Sequence, residues 1–136
     1  MKAPRYLLDT NILSDLIRHP TGAMFRHLQD ALPATACTSI IVAAEIRYGL
    51  AVGASTAIQR QAQRIMEAME VLPFESPADE HYGAIRAFLR RSGQPIGAND
   101  LLIAAHARAL DLVLVTANVR EFERVPDLQV ENWLGG

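Results

Sequence analysis

Cysteine occurs once in the 136 residues, at Cys37. A lone cysteine excludes an internal disulfide and any cage of thiolate metal ligands, and leaves Cys37 as a small buried apolar residue. Lysine is as scarce: Lys2 is the only one, so the positive charge is carried almost wholly by arginine. The net charge is −2, which excludes the strong positive field that pulls highly basic proteins onto polyanions. Long apolar runs are missing too; none reaches the roughly 18 uncharged residues of a membrane span. Met1 to Arg5 leads into only a short apolar run before Asp9, which is not the pattern of a targeting signal. The expected location is therefore cytoplasmic, with no membrane partner. Glycine forms no phosphate-cradling loop: Gly93 and Gly97 lie in a turn with no strand before them, which excludes nucleotide cofactors. The histidines His19, His27, His81 and His106 lack the paired spacing of a zinc site, and surface or capping roles are expected for them.

What is present is the balance of one ordinary domain spanning 1–136: 50% of residues are apolar and 21% are charged. A chain of this length buries roughly two thirds of its unfolded surface without staples. Tyr6-Leu7-Leu8 reads as a strand stopped by the polar turn Asp9-Thr10-Asn11. Ile12, Leu13, Leu16 and Ile17 then recur at helical spacing. A second helix is expected over Gly22 to Leu32, a strand over Thr35 to Thr38, and a helix from Ile40 to Leu50 capped by Ser39. Residues 54 to 70 carry Ile58, Ile65, Met66 and Met69 on one stripe, suited to core or dimer packing. Val71 to Phe74 reads as a strand. Ser76-Pro77-Ala78-Asp79 predicts a helix start with Ser76 as cap and an acid at the capping-box position. That helix runs to about Arg91. Leu101 to Ala105 is apolar on every side and must be buried, with Asp111 ending its helix before the strand Leu112 to Val115. A last strand is expected near Leu128 to Glu131. Strands alternating with helices give an α/β fold with a central, mainly parallel sheet flanked by helices. In such sheets sites form beyond the carboxyl ends of the strands, where Asp9 and Thr116-Ala117-Asn118 stand.

Three acids attract attention by their placement. Asp9 follows a buried strand, Glu45 sits in an apolar helical stretch, and Asp100 opens the most hydrophobic helix of the chain. Each has an ordinary reading: Asp9 as turn residue or helix cap, Glu45 as an exposed partner of Arg47, and Asp100 as a first-turn acid matched to the helix dipole. Glu121 stands three residues after Asn118, the spacing of a capping box. Taken together, converging carboxylates repel and raise one another's pKa unless a cation resolves the conflict. Mg²⁺, with Mn²⁺ as substitute, takes oxygen ligands, keeps several waters and pairs with substrate phosphate. Such a site fits phosphodiester hydrolysis. Arg86, Arg90 and Arg91 lie close together, and arginine's planar fork suits phosphate, although a solvated helix face explains any one of them.

The residues Tyr6-Leu7-Leu8-Asp9-Thr10-Asn11-Ile12, Ala44-Glu45-Ile46-Arg47-Tyr48-Gly49-Leu50, Ile96 through Ala107, Leu114-Val115-Thr116-Ala117-Asn118 with Glu121-Phe122, and Val130-Glu131-Asn132-Trp133 together resemble the PIN-domain ribonucleases. Within that family they are similar to the VapC-type toxins of bacterial toxin–antitoxin pairs. The resemblance spans nearly the whole chain and implies a compact PIN-like α/β fold, an acidic metal pocket and endonucleolytic cleavage of structured RNA such as transfer or ribosomal RNA. Matched position by position, it assigns metal binding and catalysis to Asp9, Glu45 and Asp100, and places Thr116, Asn118 and Asn11 along the pocket. Asn118 stands where PIN domains often carry an aspartate, so Glu121 either supplies the remaining carboxylate or caps its helix. The resemblance further implies a homodimer and a small cognate antitoxin. Two rival readings are a noncatalytic PIN-fold module that holds RNA or protein, and a DNA nuclease.

Overall fold

The computed structural model describes residues 5–30 and 35–134. Its sheet is built around β1 (Arg5–Leu8), whose Leu7 and Leu8 are fully buried. The chain turns at Asp9 into α1 (Thr10–Arg18), where Ile12, Leu13, Leu16 and Ile17 form one buried stripe. Next come α2 (Ala23–Asp30) and β2 (Thr35–Ser39). The part of the expected second helix beyond Asp30 lies outside the described residues. The Ser39 hydroxyl accepts the Ile41 N–H at 3.0 Å and so starts α3 (Ile40–Val52). Ser55 caps α4 (Thr56–Ala68) in the same manner, accepting from Ile58 N–H at 3.2 Å. β3 (Glu70–Leu72) follows, then α5 (Ala78–Arg91) and α6 (Ala98–Ala109).

The start of α5 differs from expectation. Pro77 occupies the cap position and no side chain caps the helix, so Ser76 is not the cap. Asp79 and Glu80 in the first turn face the positive end of the helix dipole instead. α5 ends at Gly93, whose φ of 68° is cheap only for glycine, and Gln94 N–H reaches back to the Leu89 carbonyl at 2.9 Å. α6 ends in the same geometry at Asp111, with φ 55° and Leu112 N–H on the Ala107 carbonyl at 2.9 Å. β4 (Val113–Val115), the short α7 (Val119–Phe122) and β5 (Val130–Glu131) complete the described order. Trp133 closes over the edge, edge-on to Tyr6 at 4.9 Å and stacked on His27 at 5.1 Å.

All pairings of the five-stranded sheet are parallel, in the order β3-β2-β1-β4-β5. The chain therefore starts in the middle, winds outward through β2 and β3, and returns to the other side of β1 as β4. Connections that leave in opposite directions open a crevice at the carboxyl ends of the two strands where the winding reverses. Here those strands are β1 and β4, with Leu8 level with Val115. The next residue of each is Asp9 and Thr116. Leu7, Leu8, Leu114 and Val115 of the inner strand pair, the buried stripe of α1, and Leu101, Ile103, Ala104, Ala105 and Ala107 of α6 belong to one apolar core, while Leu102 is half-buried.

Candidate active site

Asp9 is only 3% exposed, yet it is a carboxylate. Its cost of burial is met by donors: Thr10 N–H to Oδ1 at 2.8 Å, the Thr116 hydroxyl to Oδ2 at 2.8 Å, and the Asn11 amide to Oδ2 at 3.5 Å. Asp9 thus caps α1 through Oδ1, as its ordinary reading holds, while Oδ2 is taken by the Thr116 hydroxyl at the carboxyl end of β4. Thr116 is itself fixed, because its hydroxyl oxygen accepts Asn118 N–H at 3.0 Å. Asn11 reaches across to accept Ala117 N–H at 3.0 Å, which clasps the turn after β1 to the turn after β4.

Glu45 enters from α3. Its Oε1 accepts the Thr10 hydroxyl at 2.5 Å and its Oε2 accepts the Asn99 amide at 3.3 Å, so it bridges the start of α1 to the start of α6. It forms no ion pair with Arg47; the Arg5–Glu70 contact is the sole salt bridge among the described residues. Asp100 descends from the first turn of α6 and shares a hydrogen bond with Glu121 from α7. Glu121 also accepts Gly97 N–H at 3.1 Å and the Asn118 amide. Asn118 stands at the cap position of α7 but makes no side-chain cap bond, so the expected capping box is not formed. Glu121 thus bonds the start of its own helix through Asn118 and also reaches Gly97 and Asp100 at the start of α6.

The electrostatics follow from this crowding. Burial pushes the Asp100 carboxyl up to about 7, helped by its hydrogen bond to Glu121 and by the charges of Glu121, Asp9 and Glu45. Asp9 is also raised, first by burial and then by Glu45 and Glu121, although Thr116 and Thr10 oppose the rise. Burial alone would raise Glu121 as well. The bonds it accepts from Asp100, Gly97 and Asn118 hold it below the ordinary value instead. Within this pair Asp100 is the carboxyl pushed toward its protonated form and Glu121 the one pushed toward its ionised form. Four carboxyl groups from three helices and a strand end lie close enough to act on one another; none forms an ion pair among the described residues, although the charge of Arg124 helps to lower Glu121. The donor set is oxygen throughout, and a hard cation is the partner that such a set fits. Among the described residues no group of three or more His, Cys, Asp or Glu is gathered closely enough to hold a metal ion, so a cation here would take at most one or two of these carboxylates and draw its other ligands from water.

Sequence reasoning gave no role to Thr10 and Asn99, the two donors that hold Glu45. Each is the immediate neighbour of an acid already singled out, which was the available signal. It also missed His106, which is not at the surface but 1% exposed. Its Nδ1 meets the Ser39 hydroxyl at 2.8 Å, linking α6 to the cap of α3, and burial lowers its pKa. Its position inside the apolar stretch Leu101 to Ala107 marked it as buried.

Comparison with known proteins agrees with this architecture. The PIN domain family model matches residues 6–128. The chain is similar to ribonuclease VapC2 of Haemophilus influenzae, 40% identical over 134 residues that cover 96% of this chain and 98% of the relative. It is similar to the tRNA(fMet)-specific endonuclease VapC of Salmonella typhimurium, 35% identical over 135 residues, covering 95% and 98%. Among solved structures it is similar to a VapBC2 complex from Rickettsia felis bound to a DNA fragment from its promoter, with a TM-score of 0.89 and 36% identity over 95% of this chain and 98% of that one.

Proposed function

We propose, from the premise that this chain belongs to the PIN-domain family, that it is an endoribonuclease toxin whose chemistry is carried by Asp9, Asp100, Glu45 and Glu121. The observation that supports this reading is the crevice itself: four carboxyl groups at the switch point, with Asp100 raised to about 7 by burial and by its neighbours. Asp9 and Asp100 would hold a divalent cation, Mg²⁺ in the first place and Mn²⁺ as substitute. Bound there, the cation would supply charge stabilisation of the phosphodiester and a water more acidic than bulk water. Thr116 and Thr10 N–H fix the orientation of Asp9. Glu45, steadied by Thr10 and Asn99, orients the attacking water. Glu121, held beside Asp100 by Gly97 N–H and the Asn118 amide, would supply the remaining carboxylate, for a second ion. Asn11 and Asn118 line the entrance through which the scissile strand reaches these groups.

The substrate is structured RNA, a transfer or ribosomal RNA, in line with relatives named as ribonucleases and as a tRNA(fMet)-specific endonuclease. A cognate antitoxin silences the enzyme, as the solved relatives are toxin–antitoxin complexes. A homodimer would cover the apolar Tyr48 and Val52, which are 72% and 70% exposed one turn apart on α3. No helix among the described residues is long and apolar enough to cross a membrane, and the reading places the toxin in the cytoplasm with its substrate.

The test is incubation of the purified protein, freed of antitoxin, with total cellular RNA and Mg²⁺, followed by mapping of fragment ends. Discrete cuts are expected, abolished by chelator and by Asp9→Asn or Asp100→Asn, with circular dichroism of both variants unchanged. Full cleavage by either variant would remove that residue from the mechanism, and absence of cuts across several RNA sources would favour a noncatalytic module.

A further inference from the structure

Beside the acidic crevice lies a second feature of opposite character. α5 and α6 run back through the Gly93 turn, and between them opens a cleft of about 420 Å³ lined by Tyr82, Arg86, Arg90, Pro95, Ile96 and Leu101. Its floor is apolar and its rim is cationic. Arg86 donates to the Tyr82 hydroxyl at 2.9 Å and stands 5.9 Å from the ring centroid, so ring and guanidinium form one surface. Neither Arg86 nor Arg90 forms an ion pair with any described residue. Leu101, in the cleft wall, directly follows Asp100, and the Pro95 carbonyl is held by Arg124 at 3.1 Å. The cleft and the crevice thus share the first turn of α6.

We propose that this cleft seats an unpaired nucleotide of the RNA substrate, with its base against Tyr82 and Pro95 and its flanking phosphates on Arg86 and Arg90. The inference rests on the nuclease reading and adds to it where the strand lies. Three chemical features carry it. An aromatic face beside apolar walls accepts any base by stacking. Two unpaired guanidiniums match two phosphate oxygens in planar, paired hydrogen bonds. The cleft volume falls within the roughly 300–1,000 Å³ of sites that enclose small ligands. A chain with a net charge of −2 draws little from its overall field, so local cations must provide the grip. A nucleotide held here leaves the adjoining phosphodiester at the Asp100 end of α6. Selection of a bulged or looped base over a paired one would follow, because only an unstacked base presents its face.

The experiment uses full-length protein free of antitoxin. Parent, Arg86→Ala, Arg90→Ala, the double variant and Tyr82→Ala are compared on an RNA hairpin with an unpaired loop, and on a model phosphodiester too small to span both sites. Each arginine removal is expected to raise KM with kcat nearly unchanged. It should also lower the slope of log affinity against log salt by about 0.7, measured by anisotropy in an Asp9→Asn background. Tyr82→Ala should weaken hairpin binding about tenfold. Hydrolysis of the small phosphodiester should stay at the parent rate in all variants. Hairpin KM and salt slope unchanged in the double variant, with the parent active, would overturn the cleft while leaving the nuclease reading intact. A parent that cuts neither substrate would overturn both. If the variants keep RNA binding but lose inhibition by the antitoxin, or lose self-association in light scattering, the cleft is a protein interface and the proposal fails.

Discussion

At the scale of single residues, the site is a set of charges that the fold holds at a cost. Asp100 has an ordinary carboxyl value of 3.8 raised to about 7, by burial first and then by Glu121, Asp9 and Glu45. Between those two values the native state keeps a proton that the unfolded chain has released, so stability falls as pH rises through that window and stays lower above it. Asp100 is only about half withdrawn from water, and solvent screening reduces the effect. Asp100→Asn removes the group that resists ionisation. In metal-free buffer at pH 8 the variant is expected to melt a few degrees above the parent, and at pH 4 the two should melt together. A variant that melts lower at pH 8 would mean that hydrogen bonds made by Asp100 outweigh the repulsion it suffers.

At the scale of elements, the acids are placed by helices that are themselves tied together below the crevice. Ser39 caps α3, which carries Glu45, and its hydroxyl also meets His106 on α6, which carries Asp100. Both acids stand six residues along from this bond, so one hydroxyl joins the two helices less than two turns beneath the site. Ser39→Ala removes a cap worth about 1 kcal/mol and leaves the buried His106 Nδ1 without its partner, a further cost of about 1–3 kcal/mol. A loss of roughly 2–4 kcal/mol is expected in urea unfolding at pH 7.5, while Ser39→Thr should recover most of it. A loss no larger than that of the Ser55→Ala cap would show the histidine bond to be idle. Much of this level was legible in the sequence. The strand ending at Asp9, the Ser39 cap, the buried helix after Asp100 and the stop at Asp111 all follow from hydrophobic period and cap chemistry. What escaped was the local choice of Pro77 over Ser76 as the cap position of α5, together with features decided by tertiary partners. Glu121 bonds Asn118 at the start of its own helix and also takes Gly97 and Asp100 from α6. His106 was buried by the apolar helix around it. Spacing along the chain encodes which groups could pair locally, and cannot rank them against partners that arrive from 20 or more residues away.

At the scale of the whole molecule, the parallel sheet divides opposite charges between neighbouring places: an acidic crevice at the switch point and an arginine-rimmed cleft beside it. The small net charge conceals this division. On the proposed reading, the crevice would couple the stability of the entire fold to a cation and to pH. A metal ion that takes Asp9 and Asp100 must displace the proton on Asp100, so binding releases protons and strengthens as pH climbs through about 7. Ligand bound only to the native state stabilises by about 2.7 kcal/mol at a hundredfold excess over Kd, which for a domain of this size raises Tm by on the order of 10 °C. With Mn²⁺ at fixed concentration, the rise in Tm is therefore expected to be distinctly larger at pH 8 than at pH 6. The difference should vanish in Asp100→Asn, whose amide has no proton to release. Equal rises at both pH values in the parent would move the metal away from Asp100.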